Sequence, residues 1–365
     1  THVPHSYVRQ LTDHKNKRQA MQQEILAPTP LLNSDGTLSQ PGWARQPHWQ
    51  YQRQAIRAPR WRIKEWDYYA VLCADQQLGI TLTVADLGYA GLFALCFLDF
   101  ANRSFTQVDS LTLLPLGKLG LSADNHQGRI RHQSAALSID IDLQPGCRHL
   151  RFAAPGLTCA DGRRGLAGEI LLQQPATLES MNIATSWAEN RRAFYYNSKI
   201  NCMPASGGFS LGGQQHSFDP QRDSGVLDWG RGVWTYANTW YWASASGLVA
   251  GEAFGLNFGY GFSDRSPASE NVLVYRGNIH KLDQLQFHFD RHDWLKPWRI
   301  SSNDGRVDLA FIPLLDRNSH LNALLMVSEQ HQVFGHYQGR VILDDGEVLH
   351  IDALLGFAEE VRNRW

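Results

Sequence analysis

The 365-residue chain has no Cys-x-x-Cys pair, no apolar run near the ~18 residues of a membrane span, and no excess of either charge. Its five cysteines (Cys73, Cys96, Cys147, Cys159 and Cys202) form an odd, widely spaced set. That set suits neither a disulfide scaffold nor a zinc knuckle and fits a reducing compartment. A formal net charge of −1 gives no general attraction to nucleic acid or to an anionic membrane. There is no H-E-x-x-H zinc motif and no G-x-x-x-x-G-K-[ST] phosphate loop. His288 and His292 lie in an alternating segment, where a spacing of four does not make a helical metal pair. Neither a metal nor an organic cofactor is therefore expected, and no nucleic-acid partner or integral membrane segment. The first 26 residues lack the apolar core of a signal peptide, so the expected location is cytoplasmic.

Twelve tryptophans and 31 glycines are what the chain has in quantity. Large aromatics beside many glycines suit twisted, curved strands. A helix-prone stretch runs from Val8 to Leu26 and ends at Pro28 and Pro30. From Pro59 the period changes to two, with strands over Trp61–Leu72, Ile80–Val84, Leu92–Phe100, Leu137–Leu143 and His149–Phe152 separated by turn signals. The pattern breaks around Glu179–Ala188, and a second β run follows through Phe194–Ile200, Trp234–Ala245 and Glu252–Phe262. Asp304-Gly305 and Asp345-Gly346 mark later hairpins. With no strand–helix alternation, the expected fold is all-β: two tandem lipocalin-like antiparallel β-barrel domains with a short N-terminal helical arm. The boundaries are an arm at 1–58, a first barrel at 59–187, and a second at 188–365 carrying the functional site.

Trp229, Trp234, Trp240 and Trp242 crowd into one window, and Trp240, Trp242 and Ser244 share a strand face. In Glu252–Phe262 a bulky face alternates with Gly251, Ala253, Gly255, Asn257, Gly259 and Gly261. That bare face admits either a ligand in a lumen or an element packed against it, or it serves barrel curvature; Asn257, a lone amide there, needs a partner. Asp228, set among aromatics and glycines, reads either as a partly desolvated general acid or as the ion-pair partner of Arg231. Glu270-Asn271 and His280-Lys281 are polar pairs at the ends of apolar runs.

Several stretches resemble the DUF2804 family of uncharacterised proteins. They include Pro41-Gly42-Trp43-Ala44-Arg45, Leu227-Asp228-Trp229-Gly230-Arg231-Gly232, Trp240-Tyr241-Trp242-Ala243-Ser244, Ser269-Glu270-Asn271, His280-Lys281-Leu282-Asp283 and the ending from Gly356 to Trp365. More distantly, Asp228-Trp229-Gly230 followed by Trp240-Tyr241-Trp242 is similar in layout to the carotenoid hydratase (AttH/CrtC-type) group of tandem lipocalin-like proteins. The spacing after Asp228 is one residue shorter, and Tyr241 replaces that group's aspartate. The resemblance implies an acid-catalysed hydratase, dehydratase or cyclase (a hydro-lyase or cyclase) for an apolar isoprenoid or lipid-like substrate. Asp228 would donate the proton, and Glu270 or His280 would position water. Trp229, Trp234, Trp240 and Trp242 would stabilise a carbocation, with Arg231, Asn257, Asn271 and Lys281 in the substrate site. The alternatives are a non-catalytic carrier of a small hydrophobic ligand and a carbohydrate-binding or carbohydrate-processing β protein using tryptophan platforms.

Overall fold

A computed structural model describes residues 22–323 and 326–364. Its architecture is two curled antiparallel sheets. The first runs in the spatial order Ser104–Leu113, Ala90–Asp99, Leu78–Asp86, Ile63–Cys73, Ser224–Val233, Asn190–Leu211, Arg164–Gln173, Cys147–Thr158, Ser138–Gln144, Gly128–Gln133. The second runs Asn278–Lys281, Val272–Tyr275, Glu252–Tyr260, Ala237–Val249, Val348–Arg364, Met326–Ile342, Val307–Ala323, Trp298–Ser302, Leu285–His288. The expected all-β class and the meander of short strands are what the chain forms. The helix expected over Val8–Leu26 lies mostly outside the described residues. Residues 22–26 are extended, with Glu24 bridged to Trp43.

The sheets do not divide at 187/188. Strands Asn190–Leu211 and Ser224–Val233 both belong to the first sheet, and the chain crosses to the second at Trp234–Tyr236. The apparent break near Glu179–Ala188 is itself a strand, Met181–Trp187, hairpinned onto Asn190–Leu211. All seven of its residues are buried. A strand covered on both faces has no reason to alternate, so its period vanishes.

Each sheet closes over its own apolar interior, and a third cluster lies between the sheets. There Tyr68, Leu98, Phe100 and Val226 meet Trp242, Phe334, Leu355 and Phe357. The rings of Tyr68 and Trp242 cross edge to face at 5.8 Å. This inter-sheet layer positions the site. Among the described residues no helix is long and apolar enough to cross a membrane. All five cysteines are free thiols.

Candidate functional site

Strand alternation sorts the residues around Asp228 onto two faces. Trp229 and Arg231 point into the first sheet's interior, where Trp229 packs on Tyr196 and Arg231 pairs with Asp67. Asp228 points the other way, toward the second sheet. It stands opposite Lys199 in register, and the Lys199 ammonium lies 2.8 Å from its Oδ2. Asn197 donates to Oδ1 at 2.7 Å. Asp228 therefore pairs with Lys199, not Arg231, and sits on the first sheet, not the second. Both of its oxygens accept hydrogen bonds, which leaves neither arranged to hand over a proton. The Lys199 ammonium also lies 3.9 Å from the centre of the Trp242 ring, a cation–π contact in a dry layer.

The second sheet presents a facing row. Trp242 stands between Glu359 on one neighbouring strand and Gly259 on the other. At a strand spacing of ~4.8 Å these flanking positions are roughly 10 Å apart. A side-chain carbon at position 259 would come within 1.5 Å of Glu270 Oε1, so glycine there is what lets the carboxyl keep its place. Glu270 thus occupies the place the glycine leaves open. Tyr195 donates to Glu270 Oε2 at 2.6 Å. Asn257 donates to the Glu270 carbonyl at 2.8 Å and accepts from the Trp242 indole at 2.7 Å. The lone amide finds its partners within the protein. Gly255 is covered likewise, since a side chain there would meet Asn201 and Cys202 of the first sheet at 2.8 Å. The bare face receives a packed sheet at this point, not a ligand in a lumen.

Burial sets the charge state of this layer. It pushes the Glu270 carboxyl above the usual range, against the pull of Lys199 and the Tyr195 hydrogen bond, with Asp228 adding to the rise. Glu359 is pushed up to about 7 by burial, again with Lys199 opposing. Its hydrogen bonds, from Trp240 at 3.3 Å and Gln330 at 3.4 Å, are long. Two carboxyls whose protonated form is favoured by burial therefore flank one Lys199–Asp228 pair. Because Glu359 binds its proton more tightly when folded, its contribution to stability is present below its ordinary value of 4.5 and is lost as pH rises to about 7. Glu359→Gln is expected to remove that loss. The variant's stability advantage should grow across this window toward about 3 kcal/mol, read from urea denaturation at successive pH values. Parallel wild-type and variant profiles would refute the assignment.

A narrow cleft lined by Ile183, Tyr195, Gly259, Phe262, Arg265 and Glu270 opens onto the layer, with room for about one water. Behind its wall Trp234 packs against Tyr195, Trp240, Phe262 and Trp187 at centroid distances of 5.5, 5.2, 5.0 and 5.1 Å. Among the described residues no three histidine, cysteine, aspartate or glutamate side chains come together as metal ligands.

The site thus gathers Asp228, Glu270, Trp234, Trp240, Trp242 and Asn257 from the expected set. Trp229 and Arg231 are on the wrong face of their strand. His280 is turned away, accepting from the Asp344 backbone at 3.2 Å. Asn271 and Lys281 stand behind Glu270 as supports. Asn271 accepts from the Gly259 amide and donates to the Asp283 carbonyl; Lys281 donates to Ser269 and to the carbonyls of Asn271 and Leu282. Burial lowers Lys281 to about 7. Sequence reasoning missed Tyr195, Asn197, Lys199 and Glu359. The first three share one face of the Phe194–Ile200 run, a polar stripe in an otherwise apolar strand; Glu359 gave no signal beyond its place in the family-like ending. A G-x-S-x-G spacing at Gly208–Gly212 lies in a strand and its hairpin turn, so it forms no strand-to-helix nucleophile elbow.

The family model described as Domain of unknown function (DUF2804) matches residues 22–365. No curated protein matches the chain. Among solved structures, kievitone hydratase from Nectria haematococca is similar at 10% identity and a TM-score of 0.46, covering 83% of this chain and 88% of that one. An AttH-type protein from Nitrosomonas europaea is similar at 13% identity and a TM-score of 0.46, covering 88% and 98%. CghA is similar at 10% identity and a TM-score of 0.49, covering 94% and 97%. Likeness at this level says nothing of activity.

Proposed function

The chain belongs to the DUF2804 family, and we propose that it is an acid–base catalyst of the hydratase, dehydratase or cyclase type, acting on an apolar, unsaturated substrate with Glu270 as proton donor. The observation that carries this reading is the buried Glu270 carboxyl lining the cleft, its protonated form favoured by burial. Asp228 is the poorer donor, because Lys199 and Asn197 occupy both of its oxygens.

In the hydration direction Glu270 protonates one carbon of a double bond, and the π electrons form the new C–H bond. The positive charge left on the neighbouring carbon faces Tyr195, Tyr260 and Phe262, whose rings attract a cation by ~2 kcal/mol in a dry site. The Tyr195 hydroxyl stabilises the Glu270 carboxylate that forms. For substrate and water to enter together the one-water cleft must widen; a water then adds to the cation and returns a proton to that carboxylate. Dehydration is the same path reversed; cyclisation uses an internal double bond in place of water. Five free thiols are in keeping with a cytoplasmic, reducing setting.

The test is incubation of the protein with a panel of isoprenoid alkenes and their tertiary alcohols in D2O, followed by mass spectrometry. The expected product of hydration carries one carbon-bound deuterium at the protonated position. Turnover without carbon-bound deuterium would defeat an acid mechanism.

A further inference from the structure

Five of the nine large apolar side chains exposed among the described residues gather at one rim of the first sheet. Trp61, Leu111, Leu113, Leu114 and Tyr236 are between 51% and 84% exposed there. Backbone contacts hold them together. The Leu114 and Leu116 amides donate to the carbonyls of Tyr89 and Gly88, and the Trp61 carbonyl lies against Gly88. Arg60 donates to the Leu116 carbonyl at 2.8 Å, and Arg62 to the carbonyl of Trp234, two residues before Tyr236, at 2.8 Å. Leu111 and Leu113 project from the edge strand Ser104–Leu113, on the face where Gln107 meets Arg317 of the second sheet but beyond that contact.

The loop after this strand has a fixed course. Leu114 and Leu116 hold left-handed backbone, with φ of +50° and +52°, which leucine rarely adopts. The buried Asp86 carboxylate anchors the loop through the amides of Gly88 and Gly117. A single exposed leucine needs no explanation, whereas a held group of this size marks a contact surface.

The net charge of −1 conceals a local excess of the opposite sign. Residues 52–64 carry five cations and no acid, residues 110–123 carry Lys118 and no acid, and residues 87–98 and 233–251 carry no charge. Arg53 is paired with Glu65, and Lys64 is buried. Arg57, Arg60, Arg62 and Lys118 form the collar of the rim; the carbonyls to which Arg60 and Arg62 donate leave their charge uncancelled. The exposed acids Asp109 and Asp35 stand at its margin, Asp35 in the turn that packs on the Arg57 side chain.

We propose that this rim is a docking surface for an anionic lipid bilayer. The apolar side chains enter the headgroup boundary while the collar meets the lipid phosphates and carboxylates. A second copy of the chain is the poorer occupant, since a two-fold contact through this rim sets its cations against one another. The Trp234 segment joins the rim to the wall of the Glu270 cleft, but docking stands on the surface alone and does not rest on the proposed reaction.

The experiment is flotation of the full chain with vesicles of phosphatidylcholine, alone or mixed with phosphatidylserine, at low and high salt. Capture by the mixed vesicles is expected, with much less by phosphatidylcholine and release as salt screens the collar. Leu113→Asp combined with Leu114→Asp is expected to weaken capture at least about tenfold, the worth of one buried leucine. Arg57→Gln combined with Lys118→Gln is expected to weaken it about fivefold per charge and to flatten the salt dependence. All four positions are exposed, so the melting temperatures should stay near wild type. No capture of the wild type by either vesicle would overturn the proposal, as would capture unchanged in the leucine pair. Equal capture by both vesicles, insensitive to salt, would remove the anionic bilayer as occupant. Self-association abolished in the leucine pair, with no capture by vesicles, would give the rim to a second copy instead.

Discussion

Arg231→Met is expected to lower the unfolding free energy by about 3–5 kcal/mol, a large part of the 5–15 kcal/mol margin of a typical domain. Arg231 and Asp67 are both fully buried and meet at 2.9 Å. The guanidinium also donates to the carbonyls of Ser122, Trp66 and Gly230 and lies 4.0 Å from the centre of the Trp229 ring. Methionine fills much of the volume but leaves Asp67 without its ion-pair partner, with only the more distant Arg148 charge near it, and those carbonyls without donors. Burial already raises the Asp67 pKa against the pull of Arg231. Without Arg231 it rises further, so the folded variant holds the proton where the unfolded chain releases it. The loss of stability is then greatest at high pH and shrinks as pH falls toward the ordinary aspartate range. Asp67→Asn in the Arg231→Met background removes the stranded charge and is expected to recover part of the loss. Urea midpoints of the single and double variants measure both effects. A wild-type midpoint for Arg231→Met, coupled with weakened substrate binding, would return Arg231 to the substrate site.

How far the sequence disclosed this arrangement depends on the kind of information each residue carries. Alternation in Glu252–Tyr260 gave the faces correctly although both are buried, because one carries bulky apolar side chains and the other the small residues on which the first sheet and Glu270 pack. The glycine at 259 was visible as a bare position, but its occupant, Glu270, comes from a loop whose path no periodicity encodes. Period two likewise separates Asp228 from Trp229 and Arg231 without saying which face meets the other sheet. The Lys199–Asp228 pair joins neighbouring strands in the middle of the first sheet and is set by their register alone, so no local signal assigns Asp228 its partner. Met181–Trp187 was lost for the opposite reason: burial on both faces erases the alternation by which strands are recognised. Glu359 is the clearest case. It reads as one acid in an exposed-looking Glu-Glu pair, and only the register Glu359–Trp242–Gly259 makes it a buried neighbour of the site.

Glu270→Gln is expected to reduce turnover by at least ~10²-fold, the low end of what a general acid contributes, while substrate affinity stays within a few-fold of wild type. The amide keeps the shape of the side chain and an oxygen to accept from Tyr195, so the 2.6 Å contact has a successor. What it removes is the transferable proton. The wild-type rate should fall as pH rises through the elevated Glu270 pKa, because the acid form does the work. Stability provides an independent readout. A carboxyl bound more tightly to its proton in the folded state contributes stability below its unfolded pKa and loses it as pH rises through the folded one. Glu270→Gln should therefore match the wild-type urea midpoint near pH 4 and exceed it at pH 8. Asp228→Asn, which strands the Lys199 ammonium, is expected to cost stability first and rate second. Gly259→Ala separates geometry from chemistry: its methyl group would lie 1.5 Å from Glu270 Oε1, so the carboxyl must move. It should lose turnover with the proton still available. A Glu270→Gln protein with full turnover, beside a folded but inactive Asp228→Asn protein, would give the proton donor's role back to Asp228.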